Sequence, residues 1–286
     1  MRIKDILAQE KPVLSFEVFP PKKESAYESV EKAASEIAKL SPSFMSVTYG
    51  AGGGTSKYTV DIAAGLARDY GVTSMAHLSC VSSTREHVKD MVEKFKENGI
   101  ENVLALRGDI PADGHVENDY KYASELVYDL KSMGDFCIGG ACYPEGHPES
   151  LNKKEDIRHL KEKVDAGCDF LTTQMFFDNN LFYNFLYRVR EAGITVPIVA
   201  GIMPVTNANQ MKRILSMSGT YLPTRFKMIL DKFGDNPAAM KQAGIAYTTE
   251  QIIDLVANDI HAIHIYSMNK PDVAAQIKSS VSEILV

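Results

Sequence analysis

Residues 13–22 read VLSFEVFPPK. Alternation makes this a strand, with Leu14, Phe16 and Val18 pointing one way and Ser15, Glu17 and Phe19 the other. Pro20 and Pro21 stop it at once, so Glu17 lies near its C-terminal end. A carboxylate inside an apolar strand is costly unless it is paired or kept protonated. On a solvated edge strand the same residue would simply face water. The rest of the chain decides between these readings.

Working outward, short apolar strands are predicted over 44–50, 74–80, 102–108, 136–143, 170–177, 197–203 and 260–268, most of them closed by glycine or proline. Helical spacing falls between them, over 26–40, 56–70, 84–98, 120–132, 152–166, 180–191, 207–217 and 272–285. Thr84 reads as an N-cap, with Gly71 and Gly99 as C-terminal stops. An extra helical insertion covers 224–257, between the seventh and eighth strands. Strict strand–helix alternation implies parallel strands. Eight such units in 286 residues predict a (β/α)8 TIM barrel occupying 1–286 as one catalytic domain. The alternative is a doubly wound open sheet, which normally offers a dinucleotide fingerprint, and no GxGxxG occurs. The glycine run at 50–54 also fails as a phosphate loop, because Ser56 rather than glycine precedes Lys57. It reads instead as a loop over a site.

Composition narrows the function. Hydrophobic residues at 45% and charged residues at 24% are globular values, so disorder is excluded. A net charge of −6 argues against a nucleic-acid partner. No apolar run reaches about 18 residues, so no membrane span is expected. The opening MRIKDILAQEK is too polar for a secretory leader. Cys80, Cys137, Cys142 and Cys168 form no CxxC pair and read as reduced thiols in a cytoplasmic protein. No metal motif is present, and no metal is expected.

In a barrel of this kind, inward residues near the strand C-termini make the active site. The second strand offers Ser46 and Thr48, the third His77 and Ser79, the fourth Arg107 and Asp109 against Leu104 and Leu106. The fifth offers Tyr143, the sixth Thr172 and Gln174, the eighth His264 and Tyr266. Each alone has an ordinary structural explanation; polar residues on one face of seven strands suggest a polar site floored by apolar residues. The ionisable set suits proton transfer beside a large polar ligand, with Arg107 and a neutral or cationic His77 available to phosphates. A desolvated Glu17 would be a general acid near neutral pH.

The segments SFEVFPPK, SVTYGAGG, HLSC, ALRGD, GACYPEGHPE, KVDAG, TTQMFFD and GIMPV, in this order from Leu14 to about Lys270, resemble the methylenetetrahydrofolate reductase family. The resemblance implies a barrel that binds FAD, takes electrons from NADH or NADPH, and reduces 5,10-methylenetetrahydrofolate to 5-methyltetrahydrofolate for methionine synthesis. It implies that Glu17 is the general acid at folate N10, and that flavin N5 delivers hydride. Asp109 falls on an aspartate near flavin and pterin, and Gln174 on a glutamine at the pterin edge. Flavin contacts carry over onto Thr48, His77, Arg107, Gly108, Asp109, Tyr122, Ala123, Tyr143, His147, Asp156 and Lys163. Folate contacts carry over onto Asp109, Gln174, Gln210 and Lys270. Lys270 stands where the family often has arginine, and Ile214 where it often has phenylalanine; lysine attracts a carboxylate but cannot fork onto it. The chain looks like the short bacterial form, expected to be a homo-oligomer. Two competing readings are a cofactor-free barrel lyase or aldolase with Glu17 as base, and a non-catalytic folate- or flavin-binding subunit.

Overall fold

The computed structural model describes residues 1–9, 11–50, 55–81, 83–110, 119–218 and 220–285. In it, eight parallel strands close into a barrel in chain order. They are β1 (Val13–Val18), β2 (Phe44–Val47), β3 (Ser74–Ser79), β4 (Asn102–Leu106), β5 (Cys137–Cys142), β6 (Phe170–Thr173), β7 (Ile198–Ile202) and β8 (Ala262–Tyr266). β1 pairs with both β2 and β8, so the ring has no edge, and Glu17 is level with Ser46 on one side and Tyr266 on the other. This is the predicted (β/α)8 barrel, and the open sheet is excluded.

The helices are α1 (Ile3–Leu7), α2 (Tyr27–Ala38), α3 (Ser56–Tyr70), α4 (Arg85–Glu97), α5 (Ala123–Met133), α6 (Lys153–Asp165), α7 (Asn179–Glu191), α8 (Ala208–Ser218), α9 (Thr224–Phe233), α10 (Pro237–Ala257) and α11 (Pro271–Ser280). Thr84 does cap α4, its hydroxyl accepting from the His87 amide. The insertion expected over 224–257 is two helices. α9 ends at Gly234, and α10 restarts at Asn236, whose side chain accepts from the amides of Ala238 and Ala239 ahead of which Pro237 opens the helix.

The strand faces follow the alternation read from the first stretch. Leu14, Phe16 and Val18 belong to the core between barrel and helices, with Met45, Val47, Ala76, Leu78, Ile263 and Ile265. Full burial of a side chain such as Phe16 stabilises by about 1.5–3 kcal/mol. The barrel floor is a second cluster, built from Val13, Phe44, Met75, Leu104, Cys137, Phe170 and Val199. Ile3 and Ile6 of α1 close it from below. That helix is absent from the sequence reading, because five residues carry too little periodicity to show. It is tied down by the Ile3 amide donating to Asn102 Oδ1 at 2.8 Å, and by Lys4 and Lys131 converging on Asp169.

β4 corrects an expectation. Leu104 and Leu106 pack with the barrel-floor cluster, while Val103 and Ala105 face the helices. Arg107 and Asp109 therefore are not inward residues of the strand set against those leucines. They follow its last residue and lie in the exit turn, where the chain is free of the pleat. Other predicted strands overrun in the same way, since the last residues of 44–50 and 170–177 leave the ladder. Most of the glycine run (51–54) and of the polar loop after Asp109 (111–118) lies outside the described residues.

Candidate active site

Glu17 points into the barrel. Its Oε2 is 3.6 Å from His77 Nε2 on β3 and 4.0 Å from His264 Nε2 on β8, and all three side chains are buried. Only a side chain inside the ring can approach strands on both flanks. Burial pushes the Glu17 carboxyl up to about 8, the hydrogen bond from Ser46 pulling the other way. Burial likewise pushes His77 and His264 down to about 3, with mutual repulsion adding a smaller push at His264. Near neutral pH the cluster is thus a carboxylic acid beside two neutral imidazoles rather than an ion pair. This corrects the cationic option for His77.

The hydrogen bonds fix where the protons sit. Ser15 Oγ donates to the Ile263 carbonyl at 3.1 Å, a group that can only accept. Its 2.7 Å contact with His264 Nδ1 is therefore a donation from the ring, and His264 Nε2 is bare. Ser46 Oγ, 3.1 Å from that nitrogen, supplies its own proton there. The Ser46 lone pairs then face the protonated Glu17. Once the acid has given up its proton, the same hydroxyl can turn to the carboxylate. The backbone is pinned as well: Ser267 Oγ donates to the Glu17 carbonyl at 2.6 Å, and Asn269 brackets Phe19 with hydrogen bonds of 2.8 and 2.9 Å.

A polar rim surrounds the acid. Arg107 forks onto Glu149 at 2.5 and 2.6 Å, joining the exit of β4 to the loop after β5. Asp109 is exposed, close enough to Arg107 and Tyr143 to influence both. Gly108 turns between them at φ +86°. Tyr143 meets the His147 ring edge-on at 4.7 Å. His147 Nδ1 accepts from the Glu149 amide, so its Nε2 carries the proton. Asp156, in the first turn of α6, accepts from the His147 amide and the Ser150 hydroxyl of the loop before that helix. Lys163 donates to the Ala141 carbonyl at 2.7 Å and runs along the helix side of β5, away from the interior. Tyr122, preceding Ala123 at the start of α5, stacks on His159 of α6 at 5.9 Å. Thr48 follows β2, its amide bonded to Val18.

On the opposite arc, Gln174 follows β6, Gln210 lies in the first turns of α8, and Lys270 follows β8 with Nζ on Thr206 Oγ1 at 2.7 Å. The structure thus gathers Glu17 and His77 in a buried centre. It sets Thr48, Arg107, Gly108, Asp109, Tyr143 and His147 along one rim, and Gln174 and Lys270 along the other. Tyr122, Ala123, Asp156 and Lys163 sit on the α5–α6 side. Ser15, Glu149 and Thr206 had no place in the sequence-based set; only Ser15 left a trace, as the polar residue two positions before Glu17.

The profile of the family "Methylenetetrahydrofolate reductase" matches residues 2–282. The chain is 34% identical over 265 residues to the 5,10-methylenetetrahydrofolate reductase of Escherichia coli K12, covering 92% of this chain and 88% of that one. It is 36% identical over 283 residues to methylenetetrahydrofolate reductase (NADH) 1 of Arabidopsis thaliana, covering 94% of this chain and 48% of the plant protein. The chain therefore spans about half the length of such plant relatives. A structure from Clostridium thermocellum, described as binding two copies of 5-methyl-5,6,7,8-tetrahydrofolic acid, superposes with a TM-score of 0.63 over 99% of both chains at 14% identity, a likeness of fold alone.

Proposed function

This chain belongs to the methylenetetrahydrofolate reductase family, and from that premise we propose that it reduces 5,10-methylenetetrahydrofolate to 5-methyltetrahydrofolate with FAD as cofactor and NADH or NADPH as donor. The observation that carries the reading is Glu17: a carboxyl group buried inside the barrel mouth, neutral at physiological pH, beside two neutral imidazoles.

The residues present fit a flavin dinucleotide. Buried His77 Nε2 has no hydrogen-bond partner, the His147 tautomer leaves Nε2–H to donate, and Arg107 puts a guanidinium on the rim for a diphosphate. Thr48, Gly108, Asp109, Tyr122, Ala123, Tyr143, Asp156 and Lys163 complete the proposed set. When bound, FAD supplies hydride exchange between the nicotinamide and the folate methylene.

The chain's own residues handle the proton and the charge. Glu17 gives its proton to folate N10, the bond from N10 to the methylene carbon breaks, and the methylene remains on N5 as an iminium cation that takes the hydride. Losing the proton leaves a carboxylate, which the Ser46 hydroxyl turns to meet. Asp109 supplies negative charge where the cation develops. Gln174 meets the pterin edge, Gln210 the folate body, and Lys270 the glutamate carboxylate.

The experiment is stopped-flow spectroscopy of FAD-reconstituted protein. Bleaching by NADH or NADPH followed by recolouring with 5,10-methylenetetrahydrofolate supports the assignment. Protein that binds no FAD, or reduced protein indifferent to the folate, refutes it.

A further inference from the structure

The last residue of β6 is held from an unusual distance. The β6–β7 ladder pairs Leu171 with Ile198 and Thr172 with Val199, and ends before Thr173. The Thr173 carbonyl, which the ladder leaves, accepts instead from the Tyr266 hydroxyl of β8 at 2.5 Å. The Tyr266 ring reaches over β7 to do so, and Gly201 is what lets it pass. A Cβ at Gly201 would fall inside contact of the Thr173 carbonyl and 2.5 Å from the Tyr266 hydroxyl. Thr173 Oγ1 also accepts from the Gly201 amide at 2.9 Å, which fastens the crossing from the other side.

The same peptide group is held at its other end. The Gln174 amide donates to the Cys142 carbonyl of β5 at 2.7 Å. With carbonyl and N–H both engaged, the plane that launches the Gln174 side chain cannot rock. Gln174 Oε1 then accepts from the Met175 amide at 3.0 Å. The carbonyl end of the side-chain amide is spent locally, and the NH2 end is left to donate.

We propose that Tyr266 is a positioning residue for Gln174: its hydroxyl straps β6 across Gly201, so that Gln174 presents a fixed hydrogen-bond donor and selects a ligand edge bearing an acceptor, a ring nitrogen or carbonyl oxygen. This rests on the reading of Gln174 as a folate contact and assigns the polarity of that contact. A ligand with a donor at the same place would leave two donors facing, a mismatch that a buried site penalises heavily.

The test is a double-mutant cycle on FAD-loaded protein, with 5-methyltetrahydrofolate as the probe and titration calorimetry as the readout. Tyr266→Phe and Gln174→Leu should each weaken the probe about tenfold, the scale of one lost neutral hydrogen bond. The double variant should be no weaker than Gln174→Leu alone, and the flavin dissociation constant of Tyr266→Phe should stay within about twofold of the parent. Gly201→Ala should reproduce the loss. Multiplying effects in the double variant, a parental probe affinity in Tyr266→Phe, or a flavin constant that moves as much as the folate one would overturn the strap while leaving the family reaction standing. A Gln174→Leu protein that binds the probe normally would overturn the Gln174 assignment as well.

Discussion

Replacing Glu17 by glutamine keeps the shape of the neutral acid and removes its titration, which makes stability against pH a direct reading of the buried proton. In the unfolded chain the Glu17 proton leaves near pH 4.5; in the native barrel it stays until about 8. Between those values the native state binds the extra proton, so stability falls as pH rises, by about 1.4 kcal/mol per unit for one proton. Integrated from 4.5 to about 8, the loss is about 5 kcal/mol, a third or more of a typical domain's stability. Glu17→Gln lacks this loss. The two proteins should be similarly stable near pH 4.5 and diverge steadily, the variant being the more stable by several kcal/mol at pH 8. The acid limb should be common to both. There His77 and His264, with native values near 3 against 6.5, contribute stability that is complete above 6.5 and lost as pH falls toward 3. Urea unfolding at half-unit pH steps measures both curves. Parallel curves between pH 5 and 8 would mean that Glu17 is ionised in the barrel, and the reasoning from its burial would fail.

Other outcomes follow from separate parts of the molecule. Ile3→Ala removes a fully buried side chain from the barrel floor and should lower urea stability by about 2–5 kcal/mol, whatever the flavin does. Gly108→Ala forces a side chain onto a φ of +86° with its Cβ 2.9 Å from that of Ser79; it should cost about 1–3 kcal/mol and loosen flavin in a fluorescence titration. Arg107→Ala should weaken flavin by more than tenfold, about 2 kcal/mol, in the same titration, because it removes the rim guanidinium that bonds Glu149. Lys270→Ala should raise the folate KM about tenfold with little change in donor-driven flavin bleaching, because it removes the ammonium held on Thr206 at that arc.

Much of this architecture was legible because the physics is periodic. The alternation in 13–18 put Ser15 and Glu17 on one face and Phe16 and Val18 on the other, and the closed ring keeps that assignment at β1, β2, β3 and β8. Alternation has no authority once a strand ends, which is why Arg107 and Asp109 were set against the wrong partners: they lie one and three residues past Leu106. Long-range partners were also hidden. Nothing in the local sequence around Glu149 says that it will fork onto Arg107, 42 residues away, or that Tyr266 will cross β7 to reach Thr173. The short helix α1 escaped for the opposite reason: its role lies in two isoleucines beneath the barrel, and its length gives no repeat. Within the site, the sequence exposed the acid but not the direction of its protons, which depends on a carbonyl on β8 fixing a serine on β1.

On the proposed mechanism the proton for the folate comes from residue 17, and electron transfer into the flavin does not need it. Stopped-flow separation of the two half-reactions in the Glu17→Gln protein tests this most directly. Bleaching by the nicotinamide donor should run at close to the parental rate, and recolouring by 5,10-methylenetetrahydrofolate should slow by a factor on the order of 10² or more. Recolouring at the parental rate, or an equal loss in both halves, would contradict it.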